Sequence, residues 1–94
     1  MAYYKVIYSK YVEKCLDKMP ENISAGIVAW FKKNINDKEN PRLYGKPLKG
    51  KFKGYWRYRV GDYRIICDIK DKELIVLAIE IGTRDDVYKT RRIV

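Results

Sequence analysis

Residues 54–66 read Gly-Tyr-Trp-Arg-Tyr-Arg-Val-Gly-Asp-Tyr-Arg-Ile-Ile, with arginine alternating with aromatic and aliphatic side chains on both sides of a Gly-Asp pair. Strand side chains alternate with a period of two, so Trp56, Tyr58 and Val60 share one face while Tyr55, Arg57 and Arg59 share the other. A two-residue turn at Gly61-Asp62 sets Val60 opposite Tyr63, Tyr58 opposite Ile65 and Arg59 opposite Arg64. One face then carries Trp56, Tyr58, Val60, Tyr63, Ile65, Cys67 and Ile69, and the other gathers Arg57, Arg59 and Arg64. Like charges directly across a ladder repel, so three arginines placed there are either spread in solvent or held for an anion.

The rest of the chain supplies a frame for this hairpin. Residues 3–8 are aromatic and β-branched and read as a first strand that Ser9 ends. Ser9 can also cap a helix whose apolar positions Val12, Cys15, Leu16 and Met19 follow a 3.6-residue period. Pro20 closes that helix and can open the next, in which Ile23, Ile27, Trp30, Phe31 and Ile35 form the buried stripe. A polar breaker at 36–41 leads into a basic loop, residues 42–53, in which Lys46, Lys49, Lys51 and Lys53 are interleaved with Gly45, Pro47 and Gly50. Leu43, Leu48 and Phe52 are spaced to tack this loop onto the core while the lysines stay in water. Beyond the hairpin, a turn at 70–72 precedes a strand over 73–81 that is apolar on both faces except at Glu80. Such a strand is central and needs cover on both sides, so the residues after Gly82, where Thr83 can cap a short final turn, are expected to shelter the face opposite the helices.

The expected fold is therefore α+β: one domain over residues 1–94, with an antiparallel-rich four-stranded sheet and two helices on one face. The order is β-α-α-β-β-β plus a short C-terminal helix. A chain of this length can bury roughly 65% of its unfolded surface without staples. Cys15 and Cys67 fall on core-facing positions without metal-ligand spacing, which implies buried, reduced thiols, neither disulfide nor metal, and a cytoplasmic setting. Neither an export signal nor an apolar run of membrane-spanning length is present, so no membrane partner is expected. The charge balance narrows the partners further. Twenty-one Lys and Arg stand against 12 Asp and Glu, for a formal net charge of +9. That field attracts polyanions, nucleic acid first among them. With no histidine in the chain, imidazole-based triads and acid–base pairs are excluded.

Arg57, Arg59 and Arg64, joined by Arg84 and Tyr88 from beyond the last strand, would make a phosphate site if that strand lies beside the hairpin. Guanidinium groups offer forked donors to phosphate oxygens, and RNA brings its own nucleophile in the 2′-hydroxyl. Cleavage then needs positioning, charge stabilisation and some proton transfer, but no metal or other cofactor. Arginine is a poor base; either Lys51 or Lys53 removes the proton, if neighbouring cations depress its pKa, or catalysis rests mainly on substrate geometry and charge stabilisation. Lys46, Lys49, Lys51, Lys53 and Arg59 are the RNA-contact set.

The run Pro47-Leu-Lys-Gly, the hairpin Tyr-Trp-Arg-Tyr-Arg-Val-Gly-Asp-Tyr-Arg-Ile-Ile and the ending Ile-Gly-Thr-Arg-Asp-Asp-Val-Tyr-Lys together resemble the RelE branch of the RelE/ParE toxin superfamily. The resemblance covers almost the whole chain. It implies a ribosome-dependent endoribonuclease that cuts messenger RNA in the decoding site and is neutralised by an acidic, partly disordered antitoxin. By motif position, it makes Arg64 the phosphate support, Arg84 the charge at the transition state or leaving group, and Tyr88 the substrate-orienting tyrosine. Arg57 and Tyr55 stand where the family carries lysines, and Thr83 stands where it commonly has histidine. The catalytic set is thus Arg57, Arg64, Arg84 and Tyr88. Two other readings share the fold: a ParE-like inhibitor of DNA gyrase without nuclease activity, and an inactive module that binds RNA or antitoxin.

Overall fold

The computed structural model describes residues 2–83 together with Val87 and Tyr88. Arg84, and with it the helical spacing from Arg84 to Tyr88, lies outside the described residues. Strand β1 (Lys5–Tyr8) leads into helix α1 (Lys10–Lys18) and helix α2 (Glu21–Asn34); strands β2 (Lys46–Pro47), β3 (Trp56–Val60), β4 (Tyr63–Lys70) and β5 (Ile75–Thr83) follow. The sheet runs β1-β5-β4-β3-β2, with β1 and β5 parallel and every other neighbour antiparallel.

Local chemistry accounts for most boundaries. The Ser9 hydroxyl accepts the Val12 amide at 3.1 Å, satisfying one of the free donors at the start of α1. Pro20 ends the chain's first helix and caps its second, where its missing N–H costs nothing. The apolar stripes of both helices pack on one sheet face. Val12, Leu16, Ile27, Phe31 and Ile35 are buried against Tyr58, Ile65, Cys67, Val76 and Ala78, with Trp30, Cys15, Met19 and Ile23 at the margin. An edge-to-face chain of rings runs through this layer. Phe31 meets Tyr58 at 5.4 Å and Tyr8 at 6.0 Å, and Trp30 meets Phe31 at 5.1 Å. Such pairs add about 0.5–1.5 kcal/mol beyond their burial. Burial pushes the Cys67 thiol and the Tyr58 phenol well above their usual ranges and that of Tyr8 up to about 12, so all three are neutral packing groups at physiological pH. Both cysteines are free.

Three expectations need correction. The sheet has five strands rather than four, because Lys46 and Pro47 pair with Arg57 and Trp56. A proline-containing pair inside a Gly- and Lys-rich loop carries no strand signature, and it is tolerated here because the sheet ends there. The last strand begins at Ile75 instead of 73, since the turn takes in residues 71–74 with Leu74 at φ 57°. Leu43 does not tack the loop down. It is 74% exposed, whereas Phe52 is buried and Leu48 half-buried. At the Leu43 end the loop is held by polar bonds: Tyr58 donates its hydroxyl to the Pro41 carbonyl at 2.6 Å, and Arg42 grips Asp71 through two bonds of 3.0 Å.

Asp71 also accepts the Tyr4 hydroxyl at 2.6 Å, so one carboxylate in the β4–β5 turn ties together the first strand and the basic loop. The Arg42 guanidinium, and then Tyr4, hold its carboxyl below the usual carboxylate range. The contribution is therefore complete above the unfolded value of about 3.9 and is lost as pH falls through the lower folded value. The cluster is largely exposed, so Asp71→Asn should cost a few tenths to about 1 kcal/mol at pH 7. Urea midpoints at pH 7 and pH 3 check this: the variant should lose less stability on acidification than the parent.

Candidate functional site

The hairpin register is the one that period two and the Gly61-Asp62 turn require. Val60 pairs with Tyr63, Tyr58 with Ile65, and Arg59 with Arg64. The face away from the helices carries Arg57, Arg59 and Arg64, and Lys46 joins them because it sits directly opposite Arg57. Two like-charged pairs, Lys46 with Arg57 and Arg59 with Arg64, thus face each other across adjacent ladders.

Part of this face is apolar and covered. Ile66, Phe52 and Val87 are buried together, with Leu48, Tyr55, Ile79 and Tyr88 packed around them. The shelter expected from the residues after Gly82 is supplied by Val87 and Tyr88, with Phe52 and Leu48 arriving from the basic loop. Close approach sets the residue at Gly82: a Cβ there would lie 3.2–3.3 Å from the Val87 amide, Cα and Cβ. Glycine lets the returning chain lie flat on the end of β5.

Tyr88 is the point where the cations meet. Arg57 donates from Nη1 to the Tyr88 hydroxyl at 3.4 Å, and the Arg64 guanidinium carbon lies 5.7 Å from the centre of the Tyr88 ring. The ring rests edge-on against Phe52 at 5.8 Å, and the Lys51 ammonium stands 5.1 Å over the other ring, that of Phe52. Among the described residues the buried Arg57 Nε finds no hydrogen-bond partner. A buried guanidinium N–H left unpaired is costly in the free protein and is relieved by an acceptor such as a phosphate oxygen. Of the four residues in the expected catalytic set, Arg57, Arg64 and Tyr88 are brought together, and Arg84 lies outside the described residues.

The RNA-contact set divides in two. Lys51 belongs to the Tyr88 side. Lys46 and Arg59, with Arg57, line a groove of about 440 Å³ at the sheet edge whose remaining walls are Trp30, Tyr44 and Gly45. Lys49 and Lys53 flank the Gly50–Phe52 turn and are exposed.

Sequence reasoning assigned Trp30 to the core and did not single out Tyr44. The available signal was an aromatic residue next to Gly45-Lys46 in a loop otherwise rich in lysine. Glu80 was noted only as the break in an apolar strand; it is 3% exposed, pairs in register with Ile66 on the arginine-bearing face, and accepts the Ile81 amide through Oε1 at 3.2 Å. Among the described residues no group of three or more His, Cys, Asp or Glu is placed to hold a metal ion, and no helix is long and apolar enough to cross a membrane.

Comparison with known proteins places this small basic α+β domain among the toxins of toxin–antitoxin pairs. The model of the ParE toxin of type II toxin–antitoxin systems, parDE, matches residues 6–88, and the chain belongs to this family within the RelE/ParE superfamily. It is 33% identical to Toxin RelE of Mycobacterium tuberculosis over 87 residues, covering 92% of this chain and 87% of that one. Toxin RelG of the same organism is 28% identical over 86 residues, with 92% and 97% covered. Among solved structures, the M. tuberculosis toxin–antitoxin complex RelBE2 superposes with a TM-score of 0.78 at 27% identity, covering 89% of this chain and 94% of that one. A mutant of the E. coli toxin RelE in the free state gives a TM-score of 0.71 at 20% identity, with 94% and 92% covered, and shows the shared fold.

Gly45 fixes the geometry of the groove. Its φ is 80°, and a Cβ would fall 2.3 Å from the Arg57 carbonyl oxygen and 2.6 Å from Trp56 Nε1. Gly45→Ala combines left-handed strain with overpacking against backbone, and should destabilise the protein by about 2 kcal/mol or more. A lower urea midpoint at an unchanged m-value is the expected result.

Proposed function

We propose that this toxin is a ribosome-dependent messenger-RNA endoribonuclease acting in the cytoplasm without a metal. The observation that carries the reading is the meeting of Arg57, Arg64 and Tyr88 on one sheet face, with an unpaired guanidinium N–H held in that cluster. The 2′-hydroxyl of a bound nucleotide attacks the adjacent phosphorus, and the bond to the 5′ oxygen of the next nucleotide breaks. The products are a 2′,3′-cyclic phosphate and a 5′-hydroxyl, with the proton lost by the 2′-oxygen to solvent balanced by one that the leaving 5′ oxygen takes up from water. Arg57 and Arg64 hold the non-bridging oxygens where negative charge builds up, and Tyr88 orients the ribose or stacks on its base. Arg84 is assigned to the leaving oxygen by the family resemblance alone. Lys51 is tied to this cluster through Phe52 and adds positive charge beside the phosphate.

A cognate antitoxin follows from family membership, and the M. tuberculosis relative was solved as a toxin–antitoxin complex. A +9 chain suits an acidic segment that folds as it wraps the toxin.

The family model carries the ParE name, so gyrase inhibition is the alternative to test alongside. Purified protein added to translating ribosomes should cut message in the decoding site and leave gyrase supercoiling unchanged. Arg64→Ala should slow cleavage by about 10²–10³-fold, the usual effect of removing one transition-state donor. Intact message with the parent protein, or supercoiling lost in its presence, sinks the nuclease reading.

A further inference from the structure

The groove beside the catalytic cluster contains an aromatic ring that is exposed yet firmly held. Tyr44 is 44% exposed, but its carbonyl accepts the Trp56 indole N–H at 2.7 Å. Its ring stands edge-on to Trp30 at 5.7 Å, and Trp30 in turn packs on Phe31 and Tyr58 in the core. Gly45, at φ 80° with no room for a Cβ, locks the backbone on the other side. A loop aromatic would ordinarily be mobile in water. This one is braced by the hydrophobic core, so docking a flat group on it costs little ordering entropy.

The surroundings define what that flat group is attached to. Lys46, Arg57 and Arg59 line the same groove, and among the described residues no carboxylate lines it. We infer that the groove is a nucleotide subsite for single-stranded RNA, in which one base stacks on Tyr44 while its flanking phosphates lie against Lys46 and Arg59. An aromatic platform beside a cationic track is the arrangement that holds single strands without reading their sequence. A carboxylate-rich peptide would use the cations but gain nothing from the ring, whose electron-rich face repels anions. At about 440 Å³ the groove is of the order of one nucleotide. Arg57 belongs both to this groove and to the Tyr88 cluster, so the nucleotide bound here neighbours the one that is cut. This inference rests on the reading of the chain as an RNA-directed toxin, and extends it from the reacting phosphate to the adjacent base.

Binding of a fluorescein-labelled adenosine hexaribonucleotide, followed by anisotropy from 50 to 200 mM salt, tests the subsite without requiring cleavage. Tyr44→Ala should weaken binding by about 5- to 100-fold, the worth of one base–aromatic stack, while Tyr44→Phe should stay within about twofold of the parent. The salt dependence should keep its slope in Tyr44→Ala and fall by about one in Lys46→Ala, since only the lysine neutralises a phosphate. An abasic hexamer with the same phosphates should bind the parent and Tyr44→Ala alike. The subsite is overturned by equal binding of the adenosine hexamer to parent and Tyr44→Ala, or by no hexamer binding to the parent at 50 mM salt. It is also overturned if Tyr44→Ala weakens the abasic hexamer or a glutamate-rich peptide by the same factor. A parent protein that shows the Tyr44 effect but leaves ribosome-bound message intact retains the subsite and loses the nuclease reading, so the two fail separately.

Discussion

Arg59 faces Arg64 and Lys46 faces Arg57 across neighbouring strands, and these repulsions persist because of what lies on the other side of the same backbone. Tyr58 and Ile65 are paired in the same hairpin and almost wholly buried under the helices. Each contributes about 1.5–3 kcal/mol of burial, whereas a like-charged cross-strand pair costs a few tenths to about 1 kcal/mol. Burial wins with a wide margin. The sheet can therefore spend its outer face on a concentration of positive charge that no stability argument would favour, and the charge is rigidly placed because its opposite face is packed.

The remaining parts of the site are built by returning chain. Phe52 and Leu48 come back from the basic loop, and Val87 and Tyr88 from beyond β5, to cover Ile66 and Ile79. This small second core is what brings a tyrosine to the arginines. It also explains why the outer face divides into a Tyr88-centred cluster, organised by Tyr88 and Phe52, and an edge groove, organised by Tyr44 and Trp30, with Arg57 common to both. The aromatic chain that stabilises the main core emerges at Tyr44, so one set of ring contacts serves packing at one end and an exposed platform at the other.

Much of this organisation was legible in the residues, and what was legible was local. The Ser9 cap, the proline between the helices, both helical stripes and the two-faced hairpin with its register depend on side chains a few positions apart. The central place of the last strand was also readable, because only a strand covered on both sides is apolar on both. The misses share a different cause. Nothing near Leu43 says that polar bonds from Tyr58 and Arg42 would hold the loop and leave that leucine in water, and nothing in Lys46-Pro47 announces a fifth strand. Trp30 was correctly placed against the core, but its second contact, with Tyr44 14 positions further along the chain, is one that no periodicity records.

Alternation, capping residues and turn glycines were enough to define the elements and to sort arginines from core aromatics, because those signals act within a turn or a hairpin. The parallel pairing of β1 with β5 and the grip of Arg42 and Tyr4 on Asp71 came only with the folded chain, which also met the condition, β5 beside the hairpin, on which the meeting of Arg57 with Tyr88 depended. Contacts of that kind form when distant apolar surfaces find a common burial, and the choice among possible partners is made by the packing of the whole domain.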